Sequence, residues 1–485
     1  MILRLVWSEL RHRPGRALFL LGGYALGVAV MVVLLAVGEA MLEQARDRAL
    51  VGGGEMVLVP AGISTEMLRS GGVEGLFLGI DQARFVQREV LEGPRGREER
   101  GIRGASPLLD GKRLEVLAGG RSWRAVATGE IPSRAAAAGA LPELLAGRWE
   151  DSEADRRWAS PTPEELYREI DRFHLPTGEA ARDSTWAEWH YFNVMLAEDR
   201  WIYLTFMVGG RMAEPGGWGG RILLTIREAD GTHRAVTRDF PGEQVRFDTL
   251  SPDLRFGEDS YVRLEGGSYR VVARLPGTSI DMRLDPAARR YFPPADLGGT
   301  GLLSGYVVPA LYAEADGAIC LPGSSPPLRS AANPAGCDQL RRVQAYHDHN
   351  WGVWRDVSWE WGAASNERLS LLYGVVRGEE TPDQGLFVYL VDGQGPVGIY
   401  RPGAIRFPEL QTVRVNGSAV QIPRQIAFED ARRGLRVTIE VEAVHLTDME
   451  RPARRYFVQM RGRARVALEG REEVLPGFFE TYVDP

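Results

Sequence analysis

The residues best suited to chemistry lie in one short string, which reads AYHDHNWGVWRDVSWEWG from Ala345 to Gly362. It holds two of the seven histidines of the chain and four of its twelve tryptophans. Imidazole and carboxyl groups are the common general acids and bases of enzymes. The side chains of His347, Asp348, His349 and Glu360 are therefore the candidates for proton transfer.

Alternation along an extended strand divides these side chains between two faces. One face is predicted to carry His347, His349 and Trp351, and the other to carry Tyr346, Asp348 and Asn350. Further along, Ser358 and Glu360 oppose Trp359 and Trp361. A second string, TWAEWHYFNV, places Glu188, His190 and Phe192 opposite Trp189 and Tyr191. One face of each strand is expected to look into a barrel.

Such a set of residues can act as an acid in a pocket that excludes water. A carboxyl group in a dry pocket keeps its proton near neutral pH, because desolvation raises its pKa. Aromatic rings stabilise a neighbouring carbocation by about 0.5–2 kcal/mol each. A histidinium beside Asp348 would lower the pKa of that carboxyl group, in which case His347 or His349 is the acid. The predicted ligand-binding residues are Trp189, His190, Tyr191, Tyr346, Asn350, Trp351, Trp359 and Trp361.

Three other interpretations of the same residues stay open. Asp348, His349 and Asn350 can satisfy backbone groups at a bulge or a domain junction. His347 and His349 have the spacing of metal ligands on a strand, with Glu360 or His190 as a third ligand. Tryptophans in such strings are also common core residues.

Composition and missing motifs exclude several classes of protein. The chain has 58 basic and 65 acidic residues and a net charge of -7, so it lacks the basic surface of a nucleic-acid-binding protein. The sequence contains no GxSxG, P-loop, HExxH or strand-to-helix GxGxxG motif. We therefore predict no nucleic-acid partner, no cofactor and no bound metal.

The N-terminal region predicts a membrane-anchored protein. The uncharged stretch from Ala17 to Val37 is long enough to cross a hydrocarbon layer of roughly 30 Å. Arginines precede it and glutamates follow it, which places Met1 in the cytoplasm and the bulk of the chain outside the cell membrane. A cleaved signal peptide is the alternative, because Ala36 and Gly38 are small enough for a cleavage site.

The two cysteines fit an extracytoplasmic compartment. Cys320 and Cys337 flank a loop rich in glycine, proline and serine, and an oxidising exterior permits a disulfide across it.

After PTPEELYREIDRFHL, which ends at Leu175, short strand-like segments with period-two alternation recur between glycine, aspartate and proline turns. This density predicts a mainly β fold of antiparallel barrels, and the length of the segment predicts two of them. The chain is accordingly divided into a cytoplasmic N-terminus (1–16), a transmembrane helix (17–38), a juxtamembrane α+β region (39–165), a first β domain (166–300) and a second β domain with YHDHNWG (301–485).

The strings AEWHYFN, SGYVVPAL, YHDHNWG and SWEWG resemble those of the AttH-like and carotenoid 1,2-hydratase (hydroxyneurosporene synthase) superfamily, over about residues 183–485. The resemblance implies two lipocalin-like β-barrel domains that bind a long apolar molecule. It also implies that Asp348 is the proton donor, with His347, His349 and Trp351 around it. His190 departs from the EWWYF pattern that is more common in the superfamily.

The first 160 or so residues resemble the first transmembrane helix and extracytoplasmic entry of MacB/FtsX-type ABC transporter permeases. Three functions follow as hypotheses: an enzyme that hydrates or cyclises an isoprenoid or lipid, a non-catalytic lipid carrier, and an accessory subunit of an ABC-type transport system. The partners expected are an apolar small molecule, the membrane through one helix and, in the third case, ABC transporter subunits.

Overall fold

The computed structural model describes residues 14–50, 56, 58, 79–139, 150–197, 199–228, 232–296, 304–321, 337–354, 357–377, 385–415, 418–448 and 456–483. Most of the predicted cytoplasmic N-terminus, residues 1–13, lies outside them. The chain forms two compact units, Met1–Leu78 with Arg103–Asp151 and Gly79–Ile102 with Ser152–Pro485.

The first unit contains the predicted membrane helix. Helix α1 (Pro14–Leu50) includes the stretch Pro14–Gly38, which has a hydropathy of 2.5. Its described apolar side chains are exposed, as they would be in lipid. Membrane anchors and signal sequences share this length and composition. The same unit holds an antiparallel hairpin of β1 (Leu108–Ala118) and β2 (Arg121–Glu130).

The helices that follow α1 in the described chain are short, and all but one of them belong to the second unit. The remaining α-helices of the described chain are α2 (Ile80–Phe85), α3 (Pro94–Glu98), α4 (Pro132–Ala137, in the first unit), α5 (Glu153–Ala159) and α6 (Pro163–Ile170). A π-helical turn, Val86–Leu91, follows α2. Three 3-10 turns occupy Ala180–Arg182, Gly242–Gln244 and Ala431–Arg433.

Helix α6 begins at a capping box. The Thr162 hydroxyl accepts from the Glu165 amide, and the Glu165 carboxylate accepts from the Thr162 amide. Pro163 occupies the first helical position, where its missing N–H costs nothing. Buried residues Leu166, Tyr167 and Ile170 form one face, which packs against the first sheet.

The first sheet has twelve strands. They are β3 (Trp186–Ala197), β4 (Arg200–Gly210), β5 (Trp218–Arg227), β6 (His233–Pro241), β7 (Val245–Phe247), β8 (Leu254–Phe256), β9 (Ser260–Glu265), β10 (Ser268–Leu275), β11 (Thr278–Pro286), β12 (Phe292–Asp296), β13 (Gly305–Cys320) and β14 (Cys337–Val353). Their order is β6-β5-β4-β3-β14-β13-β11-β10-β9-β8-β7, and β12 pairs with β13.

The second sheet has nine strands. They are β15 (Ser358–Ser365), β16 (Leu369–Arg377), β17 (Phe387–Asp392), β18 (Gly395–Tyr400), β19 (Arg406–Val415), β20 (Ser418–Asp430), β21 (Leu435–Asp448), β22 (Tyr456–Leu468) and β23 (Arg471–Val483). Their order is β18-β17-β16-β15-β23-β22-β21-β20-β19. Both sheets are antiparallel and nearly closed, which confirms the predicted mainly β fold with lipocalin-like barrels.

The strand that carries YHDHNWG belongs to the first sheet. The sequence placed the border of the β domains at residue 300, which assigned β13 and β14 to the second domain. In the structure β14 pairs with β3, and β13 pairs with β11, so these two late strands join both halves of the first sheet. The change of sheet falls between Val353 and Ser358. Alternation in the sequence shows that a segment is a strand but not which strand it pairs with.

The two sheets pack against each other through β13 and β14 of the first sheet and β15 and β16 of the second. At the centres of β3 and β14, consecutive residues are buried, so the usual alternation of buried and exposed positions is lost. Arg290 extends this contact, because its guanidinium donates to Ser370 and to two carbonyl oxygens of the second sheet. Strands β3 and β14 thus have an inner face in the first barrel and an outer face against the second sheet.

The cysteine prediction agrees with the structure. Cys320 at the end of β13 and Cys337 at the start of β14 form a disulfide, and their Cα atoms are 4.0 Å apart. The loop between them lies outside the described residues.

We expect Thr162→Ala to lower the free energy of unfolding by about 1 kcal/mol, because the substitution removes the side-chain half of the capping box of α6. Urea unfolding followed by tryptophan fluorescence measures the change. Thr177→Ala is the control, because Thr177 is exposed in the loop after the helix. Equal stability of both variants would contradict a role of the cap.

Candidate functional site

The register of β3 and β14 places the YHDHNWG side chains as the alternation predicted. The pairs on the inner face are His347–Phe192, His349–His190 and Trp351–Glu188. The pairs on the outer face are Tyr346–Asn193, Asp348–Tyr191 and Asn350–Trp189. The four predicted proton-transfer residues are therefore not all together, because His347 and His349 are separated from Asp348 by the strand itself.

A histidine cluster fills the inner face. It consists of Asp171, Glu188, His190, His347 and His349, and each side chain is at most 1% exposed. Asp171 immediately follows α6, and its Oδ1 lies 2.7 Å from His349 Nδ1. Its Oδ2 lies 3.3 Å from His347 Nε2, and its Oδ1 lies 3.9 Å from His190 Nδ1. His349 Nε2 is 2.8 Å from Glu188 Oε1, so His349 bridges two carboxyl groups.

Residues around the histidine cluster fix its orientation. The Tyr269 hydroxyl donates to Asp171 Oδ2 at 2.6 Å. The backbone amide of His174 donates to both oxygens of Glu188, at 2.8 and 3.0 Å. The ring of His174 stacks on Trp351, with centroids 3.7 Å apart. Trp351, which the sequence predicted as a ligand-binding residue, therefore supports the histidine cluster.

The protonation pattern of the histidine cluster follows from its contacts. Burial alone would lower the pKa of His349, but hydrogen bonds to Asp171 and Glu188 raise it to about 9. Burial alone would raise the pKa of Asp171, but the neighbouring His190 and His347 hold it well below its usual range. Burial and the charge of His349 lower the pKa of His190 well below its usual range. A histidinium at 349 and a carboxylate at 171 are the charges that these contacts favour.

A junction cluster lies on the outer face, between the sheets. It consists of Tyr191, Tyr346, Asp348, Asn350, Trp359, Trp361, Gln459 and Glu480. Asp348 accepts from the Tyr346 hydroxyl at 2.8 Å and from the Asn350 amide at 2.7 Å. The Trp361 indole N–H donates to Tyr346 at 3.2 Å. The carboxyl group of Asp348 is thus bonded to side chains, rather than to backbone groups at a bulge.

Glu480 of β23 is the second carboxyl group of the junction cluster. It accepts from the Tyr191 hydroxyl at 2.9 Å and from the Trp359 indole N–H at 3.0 Å. Gln459 donates to the Tyr191 hydroxyl at 2.8 Å. Tyr191 of the first sheet therefore connects to two residues of the second.

Burial shifts the pKa of both carboxyl groups of the junction cluster upward. Burial raises the pKa of Asp348 to about 8, and the neighbouring Glu480 contributes to this rise. Burial also raises the pKa of Glu480, although three hydrogen-bond donors oppose the shift. Neither carboxyl group has an arginine or lysine partner among the residues that the structure describes.

An aromatic rim of half-buried side chains borders the junction cluster. It consists of Trp189, Trp354, Trp359, Phe457 and Tyr482. Ring centroids are 4.8 Å apart between Trp189 and Trp354 and 4.9 Å apart between Trp359 and Tyr482. Trp359 belongs to both the aromatic rim and the junction cluster, and its indole N–H contacts Glu480.

Glu360 lies apart from the other predicted proton-transfer residues. It is on the face of β15 opposite Trp359 and Trp361, where Arg377 contacts its Oε1 at 3.3 Å. Burial raises the pKa of Glu360 to about 7. Glu360 is therefore not the third metal ligand that the sequence analysis considered beside His347. His190 and Asp171 are the side chains that lie near His347 Nε2, at 3.5 and 3.3 Å.

Two groups of side chains have the composition and spacing to hold a metal ion. One is Asp171, His190 and His347, and the other is His174, Glu188 and His349.

The sequence analysis missed Asp171, His174, Tyr269, Gln459 and Glu480. Asp171 could have been found, because it continues the apolar face of α6 four residues after Tyr167, where a carboxylate is out of place. Glu480 could have been found in the same way, because it is the only charged residue in the strand segment LPGFFETYV.

Comparisons with known proteins give structural matches only. No protein family and no curated protein matches the sequence. The chain is similar to the crystal structure of a protein described as AttH from Nitrosomonas europaea, with 16% identity, a TM-score of 0.44 and coverage of 64% of this chain and 97% of the other.

Two further crystal structures are similar at the same level. Kievitone hydratase from Nectria haematococca has 10% identity, a TM-score of 0.44 and coverage of 65% and 94%. CghA with Sch210972 has 12% identity, a TM-score of 0.45 and coverage of 64% and 93%. These values are too low to transfer an activity or a residue role. The predicted resemblance of the N-terminus to transporter permeases finds no support among them.

We expect Glu360→Gln to stabilise the protein at high pH. The folded-state pKa of Glu360 is raised, so the stability of the wild type falls as pH rises from about 4.5 toward 7 and stays low above it. The isosteric amide cannot ionise, so the variant should be more stable at pH 8 by up to about 3 kcal/mol. Thermal unfolding between pH 5 and 8 measures this difference.

The control for this prediction is Glu409→Gln, because the Glu409 side chain is 57% exposed. A difference between Glu360→Gln and wild type that did not change with pH would contradict the assignment.

Proposed function

We propose that the protein binds an apolar unsaturated molecule, an isoprenoid or lipid, at the junction of its two sheets, and that Asp348 donates a proton there to a carbon–carbon double bond. The observation that carries this proposal is the pair of buried carboxyl groups, Asp348 and Glu480, set among aromatic side chains. The result of the reaction is hydration or cyclisation of the bound molecule.

The pair has the surroundings of an acid rather than of an ion pair. A buried carboxyl group with a cationic partner ionises, whereas one in dry, apolar surroundings keeps its proton. Two carboxyl groups that share one desolvated space also disfavour each other's ionisation. Burial of Glu480 and its contacts to neutral donors fit this second situation.

The junction cluster also contains what a protonated alkene needs. The proton moves from the carboxyl group to one alkene carbon, and the positive charge remains on the other carbon. The rings of Trp359 and Trp361 lie within the cluster and can stabilise that charge. Water, or a second double bond of the same molecule, then adds to the cation, and a proton returns to the carboxylate.

The aromatic rim supports the choice of an apolar ligand. Its five rings are half-buried, so they present apolar surface next to the buried carboxyl groups. Pockets for small molecules combine such apolar walls with a few converging polar groups.

The N-terminal helix supports a membrane-anchored, extracytoplasmic location for this chemistry. Its exposed apolar side chains suit lipid, and the disulfide between Cys320 and Cys337 suits an oxidising compartment. An accessory role in ABC-type transport stays a prediction.

The test is to purify the full-length protein from its own host in mild detergent, and to identify co-purifying apolar molecules by mass spectrometry. The unsaturated precursor of any hydrated or cyclised product is then incubated with wild type and with Asp348→Asn. We expect the substitution to slow conversion by about 10²- to 10⁴-fold, the usual contribution of a general acid.

The control is Glu89→Gln, which neutralises a carboxyl group that is 2% exposed and lies outside both clusters. It should convert the precursor at the rate of the wild type. If the wild type releases its ligand unaltered after prolonged incubation, the protein is a carrier and the proposed acid chemistry is wrong.

A further inference from the structure

We propose that Asp171, His190 and His347 bind a divalent transition-metal ion, and that zinc fits their geometry best. The site lies on the inner face of β3 and β14. It does not depend on the proposed function, which uses the outer face.

The two histidine nitrogens and the two oxygens of Asp171 lie close to the spacing of zinc ligands. His347 Nε2 is 3.3 Å from Asp171 Oδ2 and 3.5 Å from His190 Nδ1, and His190 Nδ1 is 3.9 Å from Asp171 Oδ1. Tetrahedral zinc with bonds of about 2.0–2.1 Å separates its nitrogen and oxygen ligands by about 3.3–3.4 Å. One ligand atom from each residue lies within 4.8 Å of the other two, so adjustment of the carboxylate would bring one of its oxygens and both nitrogens onto one ion.

The hydrogen bond of His347 aims a lone pair at this point. His347 Nδ1 is 3.1 Å from the Tyr191 carbonyl oxygen, which can only accept, so Nδ1 carries the proton. In the neutral imidazole Nε2 then has a lone pair, and that lone pair faces the Asp171 carboxylate. Nε2 can therefore donate to Asp171 when the ring is protonated, or offer its lone pair to a cation that lies between the two groups. Backbone carbonyls orient metal-binding histidines in the same way.

The carboxylate of Asp171 is also oriented by neighbouring donors. Tyr269 donates to Oδ2 at 2.6 Å, and His349 Nδ1 lies 2.7 Å from Oδ1. Carboxylates that bind metals are held by such outer contacts. His349 thus has a supporting position, with Glu188 on its other nitrogen.

The second possible group, His174, Glu188 and His349, is less suited to a metal. Both histidines approach the same oxygen of Glu188, at 3.1 and 2.8 Å, which are hydrogen-bond distances. Both nitrogens can donate to this one oxygen, so hydrogen bonds alone account for the arrangement. In the first group, by contrast, His190 Nδ1 and His347 Nε2 face each other at 3.5 Å, and no contact defines which of the two donates. We therefore assign the ion to the first group.

Three protein ligands leave the fourth position of a tetrahedron for water or for a bound molecule. Catalytic zinc sites have this composition, whereas structural sites use four protein ligands. The inferred site therefore belongs to the class that binds or activates a small ligand.

The experiment uses the full-length protein in detergent. Metal is removed with a chelator, the chelator is removed by dialysis, and Zn²⁺ is added back in a calorimetric titration. We expect one Zn²⁺ per chain in the wild type and a rise in its melting temperature, because the ion binds only the folded state. His190→Gln should weaken binding by about 100-fold or more, since it removes a ligand.

His233→Gln is the matched control, because His233 lies outside the cluster beside His445. It should bind Zn²⁺ as the wild type does. Co²⁺ provides a second measurement, because a tetrahedral Co²⁺ site absorbs visible light strongly, and this absorption should be lost in His190→Gln.

The inference is overturned if the wild type binds less than a tenth of an equivalent of Zn²⁺, a result that decides the matter even if His190→Gln fails to fold. It is also overturned if His190→Gln binds Zn²⁺ as tightly as the wild type, because the ion would then be bound elsewhere.

Discussion

Burial of both faces of β3 and β14 is the constraint on which the rest of the structure depends. An ordinary barrel strand has one face in the core and one in water, so its polar side chains can be solvated. These two strands lie between the first barrel and the second sheet, and water reaches neither face at their centres. Each histidine, carboxyl and hydroxyl group there needs a partner within the protein, because an unpaired buried polar group costs several kcal/mol.

The two faces meet this requirement in different ways. On the inner face the groups are bases and a carboxylate, and Asp171 gathers three imidazole rings around itself. On the outer face the donors are neutral hydroxyl, amide and indole groups, and the charge of His349 only partly offsets the effect of burial on the pKa of Asp348. The two faces of one strand thus shift the pKa values of their carboxyl groups in opposite directions, downward for Asp171 and upward for Asp348 and Glu480.

The sequence predicted the parts of this arrangement that depend on local pattern. Alternation assigned His347 and Asp348 to opposite faces, and the Thr162–Glu165 spacing predicted the start of α6. It could not assign β14 to the first sheet, because pairing with β3 joins segments more than 150 residues apart, and no local pattern encodes that choice. For the same reason it could not bring Asp171 to the histidines or Glu480 to Tyr191. Glu360 was grouped with Asp348 by closeness in sequence, although strand geometry places it on the far face of β15.

Asp171 comes from outside the sheets, from the turn that follows a short helix. A chain shortened to begin at Thr185 would therefore keep every described strand of both sheets and still lose the carboxylate of Asp171, which contacts all three clustered histidines. Glu188 would then be the remaining carboxyl group of the cluster, and it contacts His349 but neither His190 nor His347 in the described contacts. The short helix before the barrels therefore leads to a charge that the interior of the first barrel uses.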